Sequence, residues 1–483
     1  MLARSLLTLW VLLLPAQGVA QDYAAIDNRL QRGDAGPVTA LVVQRRGAVV
    51  HEAYFRGANA DELQLLNSAT KSVGATLVGI AVRQARLAAG DRLPLLLPAY
   101  DWNSASLRDK RGLELRHVLQ MRHGLAWDEF STSFLDPRNP VVGMLASDDY
   151  YLYTLRSPVV AAPGARFDYS TGVSTLMSGV LRNATGLTPQ QYAERYLFAP
   201  LGITAAHWET WSPGGRGTGV RSFPFGDAPL GIGLWLRPRD LARIGQLYLD
   251  GGVHAGQRLL DPEWIRDAWT VYSDARTDAY FVETVDEGFG YGYQWWYRAM
   301  RDARGRAHRV WYASGYGGQR LYVFPQLELV VASTADSTVD YSGPGIATVL
   351  RELLLPALQV PVTPALSGSY YDPARSGQGL NIEVLGNGAV VAYWYTYAAG
   401  GQRWYVMQGD VEGDRVALTV YRTEGGVFLD PAPATLVRAG TAQLRWDTCA
   451  TARLDYDIEA GRGTYPLTRL TGSCSAIGAA APR

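Results

Sequence analysis

The run Asn67-Ser68-Ala69-Thr70-Lys71-Ser72, continuing through Val73-Gly74-Ala75-Thr76-Leu77-Val78-Gly79-Ile80-Ala81-Val82, is the stretch that most restricts how this chain can fold. It reads as the opening turns of a helix that is apolar on nearly every face. Such a helix is buried in the middle of a domain, so its domain must be built around it. Ser68 and Lys71 stand three residues apart, which stacks them on one helical face. A hydroxyl beside an amine is a nucleophile beside its base. An amine ordinarily titrates near ~10.4, roughly 3 pH units above neutrality, and burial or a nearby positive charge brings it down.

Lysine usage sharpens this reading. The chain has only two lysines, Lys71 and Lys110, and otherwise writes its cations as arginine. Arginine keeps its proton in a protein, whereas a buried lysine can lose one. A lysine retained one helical turn after a serine therefore points to catalysis.

The 483 residues suggest two to four domains. A formal net charge of zero, with arginines scattered along the chain, gives no basic stripe for nucleic acid. At the N-terminus, Arg4, the apolar run Leu6 to Leu14 and the small residues Gly18-Val19-Ala20 read as a secretory signal peptide over residues 1–20. The mature protein is then expected to be periplasmic or secreted from a bacterium, without stable membrane insertion. No later stretch reaches about 18 apolar residues. The two cysteines, Cys449 and Cys474, are expected to form a disulfide in that compartment. The six histidines lack metal-ligand spacing, so neither a metal nor another cofactor is expected. The expected partner is a small-molecule or short-peptide substrate, and nothing specifies an oligomeric state.

Along the chain, two β-rich runs around Arg45-Arg46-Gly47 read as a hairpin over 37–55. A short helix spans 115–121; its neighbours His117 and His123 read as packing or capping groups. The loop Pro163 to Thr171 leads into a helical run over 173–181. A further helix follows Arg237-Pro238, with Asp240 as its expected cap. Gly288 to Tyr297 reads as one strand, and 310–332 as two consecutive strands. Ile346 to Leu355 reads as a closing helix. Strands at both ends with helices between predict an α+β arrangement: an antiparallel sheet flanked by helices, with a helical insertion. Proline-rich residues 357–364 read as a linker between a domain over 21–356 and a small all-β domain over 365–483. Tight turns at Gly386-Asn387-Gly388, Gly400-Gly401 and Gly413-Asp414 make the latter a meander or small barrel. Its aromatics read as core, or as a surface that stacks on sugar rings.

A Ser/Lys pair also needs a proton relay and a cradle for a developing oxyanion. Tyr169, in a loop entering a helix, suits the relay. The segment Ser314-Gly315-Tyr316-Gly317-Gly318 suits the cradle, because glycines let a substrate lie close to a strand. The backbone N–H of Tyr316 and that of Ser68 are the candidate donors.

These residues resemble the serine β-lactamase and penicillin-binding protein superfamily, most closely its class C and esterase branch, which includes the nylon-oligomer hydrolases. Ser68-Ala69-Thr70-Lys71 looks like the nucleophile motif, Phe167-Asp168-Tyr169-Ser170 like the tyrosine motif, and Ala313-Ser314-Gly315 like the strand motif. The resemblance implies a β-lactamase/transpeptidase-like fold over roughly 35–356. It implies catalytic Ser68, Lys71 and Tyr169, and an oxyanion hole from Ser68 and Tyr316. Thr171, Ser314, Gly315 and Gly317 would be substrate-binding residues, with the loops 125–160 and 208–230 lining the cleft. Two positions depart from the pattern: Thr171 stands where the family usually has Asn, and Ala313 where it has Lys or His. Both missing groups help bind a β-lactam, so the departures favour an esterase or amidase. A β-lactamase, a D,D-peptidase, a cell-wall peptide binder that acylates without turnover, and a glycan-attached adhesin remain open at this point.

Overall fold

The computed structural model describes residues 23–209, 227–273, 287–303, 305, 307–339, 345–358, 360, 362–375, 377–398, 401–412, 415–425, 434–447 and 450–471. The expected signal peptide and the Cys449–Cys474 disulfide lie outside them. The chain divides into two compact units, Tyr23–Leu353 and Leu354–Arg483.

The first unit is built on a seven-stranded antiparallel sheet. Its strands are β1 (Val38–Arg45), β2 (Ala48–Tyr54), β3 (Glu287–Tyr291), β4 (Trp296–Arg301), β5 (Ala307–Gly315), β6 (Gln319–Phe324) and β7 (Leu329–Ala335). Their spatial order is β2-β1-β7-β6-β5-β4-β3, so the first and last strands of the unit pair with each other one strand in from an edge. β1 is buried along nearly its whole length, as its Val/Leu/Ala run requires. The expected hairpin over 37–55 is the β1–β2 pair.

Two stretches hold more strands than expected. Residues 321–332 form two strands because Pro325 starts a 3-10 turn that Glu328 ends with φ +49. Gly288 to Tyr297 is likewise two strands, β3 and β4, with Gln294 at φ +59 in the turn between them.

Helix α1 is Ala24–Arg32, α2 is Thr70–Arg83, α3 is Thr171–Thr185 and α4 is Pro238–Leu249. Every residue of α2 from Thr70 to Ala81 is buried, as its all-round apolarity demands. α2 and α3 share one hydrophobic core with the inner face of the sheet. α4 lies against the sheet so closely that a Cβ on Gly245 would sit 2.8 Å from Val330 Cγ1. Asp240 is not the cap of α4. Pro238 fixes the first helical turn and moves the N-cap to Arg237, leaving Asp240 fully buried in that turn. Its carboxylate is held by Arg237 Nε at 2.6 Å and Arg243 Nη1 at 2.9 Å.

The second unit is a closed, eight-stranded antiparallel barrel. Its strands are β8 (Gly368–Tyr371), β9 (Gly379–Val384), β10 (Ala389–Ala398), β11 (Gly401–Glu412), β12 (Arg415–Glu424), β13 (Thr435–Trp446), β14 (Thr451–Ile458) and β15 (Gly461–Arg469). Each strand pairs with the next, and Tyr370↔Arg469 and Tyr371↔Thr468 close the ring. The pleat sorts the aromatics: Trp394, Tyr405 and Tyr465 point into the core, while Tyr395, Tyr397 and Trp404 face outward. Val360 and Val362, in the segment read as a linker, pack against this barrel core. Among the described residues, no helix is long and apolar enough to cross a membrane.

Candidate active site

The nucleophile candidate sits on a bend. Asn67–Ala69 form a 3-10 turn leading into α2, and Asn67 takes φ +48, a left-handed conformation that asparagine tolerates better than most residues. Ser68 is half-buried, and Lys71, one turn on, is 1% exposed. Lys71 Nζ lies 3.0 Å from Ser68 Oγ, 3.0 Å from Thr171 Oγ1 and 2.8 Å from the carbonyl oxygen of Gly231. Burial pulls the lysine down to about 8, against the opposing pull of the Glu129 carboxylate.

The tyrosine motif delivers three groups at once. Tyr169 is 6% exposed, and its ring centroid lies 4.9 Å from Lys71 Nζ. Trp296 stacks on one side of that ring and Phe130 tilts against another, each at 5.6 Å between centroids. Ser170 caps α3 by accepting a hydrogen bond from the Val173 N–H at 3.0 Å. Thr171, the first residue of α3, points its hydroxyl at Lys71.

The end of β5 abuts the serine turn. A Cβ on Gly315 would lie 2.1 Å from the carbonyl oxygen of Leu66 and 3.2 Å from the nitrogen of Ala69. Asn67 Nδ2 donates to the carbonyl of Tyr316 at 2.9 Å, tying turn and strand together. Ser314 and Gly317 flank this contact along the chain, with Gly317 at φ +77. The Tyr316 side chain is 62% exposed and meets Phe134 edge-on at 6.0 Å. Ser68, Lys71, Tyr169 and Thr171 are thus gathered at one point, and Gly315 and Tyr316 adjoin it. An open cleft of 860 Å³ reaches Tyr169, Glu129 and Phe130 and is rimmed by Arg122, Asp128 and Arg166.

Sequence reasoning missed Glu129, Asn67, Gly231 and the anchoring role of His123. Glu129 is 2% exposed. Its Oε2 accepts from the Thr171 N–H at 2.8 Å and from Trp127 Nε1 at 2.6 Å, and its Oε1 from the Thr171 hydroxyl at 2.8 Å. Asn67 carried a signal, since Asn is enriched at positive φ.

His123 Nε2 donates to the Asp168 carbonyl at 2.8 Å while Nδ1 accepts from the Leu125 N–H at 3.0 Å, fixing one neutral tautomer behind the Tyr169 loop. Burial pushes this imidazole from 6.5 down to about 4. As pH falls, the unfolded chain protonates this histidine before the folded protein does. The resulting stability is therefore complete above pH 6.5 and lost as pH drops towards 4. The loss is on the order of 3 kcal/mol. Urea midpoints measured above 6.5 and near 4 should show this slope in the wild type, and a His123→Gln variant should lack it.

The family model described as Beta-lactamase matches residues 26–355. A 6-aminohexanoate-dimer hydrolase of Paenarthrobacter ureafaciens is 27% identical over 315 residues, covering 62% of this chain and 73% of that protein. The octameric penicillin-binding protein homologue of Pyrococcus abyssi is similar in fold, with a TM-score of 0.51 at 15% identity, covering 92% of this chain and 98% of its own. A penicillin-binding protein homologue from Caulobacter crescentus has a TM-score of 0.51 at 17% identity, covering 71% of this chain and 99% of its own.

Proposed function

The chain belongs to the beta-lactamase family and is a serine hydrolase; from that premise we propose that it is exported and cleaves an ester or amide through an acyl-enzyme on Ser68. Ser68 Oγ attacks the substrate carbonyl carbon while its proton passes to Lys71 Nζ. The backbone N–H groups of Ser68 and Tyr316 hold the oxyanion, the former at the start of a helix whose dipole favours negative charge. Collapse breaks the bond to the leaving alkoxide or amine, which takes the proton from Lys71 by way of Tyr169. Water then attacks the acyl carbon, gives its proton to the same pair and releases Ser68.

The observation that carries this reading is the 3.0 Å contact between Ser68 Oγ and a fully buried Lys71 held at about 8. An amine at that value is a competent base in mildly alkaline solution. The departures at Ala313 and Thr171 favour esters and amides over β-lactams. Ala313 offers no cation to a carboxylate, and the Thr171 hydroxyl gives its proton to Glu129. Intact-mass analysis after treatment with a fluorophosphonate should place one adduct on Ser68. A panel of p-nitrophenyl esters, D-amino acid amides and nitrocefin should show turnover of the first two classes above the third. Hydrolysis that survives in folded Ser68→Ala protein would overturn the proposal.

A further inference from the structure

We propose that Glu129, acting through Thr171, is a positioning residue that fixes the direction in which the proton moves between Ser68 and Lys71. The inference rests on the acyl-enzyme reading above.

Among the described residues, Lys71 Nζ hydrogen-bonds to three oxygens, Ser68 Oγ, Thr171 Oγ1 and Gly231 O, at 3.0, 3.0 and 2.8 Å. As an ammonium it has three N–H groups, and each finds an acceptor. As a neutral amine it has two N–H groups and one lone pair, so one neighbour must turn from acceptor to donor. The Gly231 carbonyl has no proton to offer. Thr171 has a single hydroxyl proton, and Glu129 Oε1 takes it at 2.8 Å. Glu129 cannot return it, because the N–H groups of Thr171 and Trp127 both donate to its other oxygen, at 2.8 and 2.6 Å. Of these three oxygens, only Ser68 Oγ is left to meet the lone pair. A deprotonated Lys71 in this cage is therefore aimed at the nucleophile. An asparagine at position 171 would lack this single hydroxyl proton to commit, so the Thr171–Glu129 pair is a matched arrangement.

Among the described residues, Glu129, Tyr169 and Tyr291 are the titratable groups that act on this point from the elements packed around it. Glu129 favours the ammonium. The ring of Tyr169 lies beside it at 4.9 Å. Tyr291, on β3, lies within the electrostatic reach of Tyr169 and Glu129, and its burial keeps the phenol protonated well above its ordinary range.

The test is the pH dependence of Ser68 phosphonylation by a fluorophosphonate, in which Ser68 Oγ bonds to phosphorus and fluoride leaves, followed by intact mass. Glu129→Gln keeps the shape but offers Thr171 an amide that can donate, which frees the threonine proton to compete for the Lys71 lone pair. The plateau rate should fall about 10²-fold. The limb on which the rate rises with pH should move down by about 1 pH unit, because Lys71 has lost its anion. Glu129→Asp, which keeps the charge, should leave that limb in place. The decisive arm is the double variant Glu129→Gln/Thr171→Val. Removing the competing hydroxyl should raise the rate about 10-fold over Glu129→Gln alone, which a merely structural Glu129 does not predict. Additive losses in the double variant, or an unmoved limb in folded Glu129→Gln, overturn the inference. If Glu129→Gln yields no folded protein, Thr171→Val alone is read: it removes an acceptor of the ammonium and should lower the limb, and an unmoved limb overturns the inference. An unlabelled Ser68 in the wild type would instead overturn the acyl-enzyme reading itself.

Discussion

Replacing Lys71 with arginine should lower ester hydrolysis by about 10³-fold or more while the protein stays folded. Arginine preserves the positive charge opposite Glu129 but cannot lose its proton, so only the base is removed. In the wild type the rate should rise with pH through about 8 and then level, because in the proposed mechanism the working form of Lys71 is the neutral amine, and burial holds Lys71 at about 8. The arginine variant should show no such limb at any rate that can be measured. Initial rates on a p-nitrophenyl ester across that range, with circular dichroism to confirm folding, check both points. An arginine variant with wild-type turnover would remove Lys71 from the chemistry.

The second large effect is expected from a single methyl group. Gly315→Ala places a Cβ 2.1 Å from the Leu66 carbonyl and 3.0 Å from Gln319 Cβ. The first obstacle is backbone, so relief requires β5 and the serine turn to separate. That movement stretches the 2.9 Å bond from Asn67 to the Tyr316 carbonyl and draws the proposed oxyanion donors apart. A displacement near 1 Å costs about 10²-fold in kcat/KM, and overpacking adds roughly 1–3 kcal/mol of destabilisation. Steady-state kinetics beside a urea titration separates the two contributions. Full activity in Gly315→Ala would mean that this strand does not hold the reacting carbonyl.

What the sequence disclosed follows from how local each signal is. The burial of α2 is written into an apolar run with no polar face, and the Ser68–Lys71 contact into a spacing of three. The place of Thr171 beside Lys71 could be read from a motif. Glu129 could not: one carboxylate among 45 acidic residues meets Lys71 only through Thr171, which reaches it from 42 residues further along the chain, while Trp127 holds it locally. The misread cap of α4 was a contest between two local signals, in which the fixed φ of Pro238 prevailed over the capping preference of Asp240. The barrel was legible as β structure but not as eight strands. In Gly401–Glu412, Tyr405 and Met407 face the core, while Trp404 shares the outer face with Gln402, Gln408 and Asp410, so an exposed aromatic blurs the alternation.

The scarcity of lysine has a consequence beyond catalysis. The second lysine, Lys110, is 3% exposed, its amine held by the Ser106 carbonyl at 2.7 Å and by Asp109 at 2.9 Å. Neither side-chain amine is therefore on the surface. Activated acyl donors modify amines far more readily than guanidinium groups. A molecule whose outer side-chain cations are arginines is shielded from adventitious side-chain acylation by such donors.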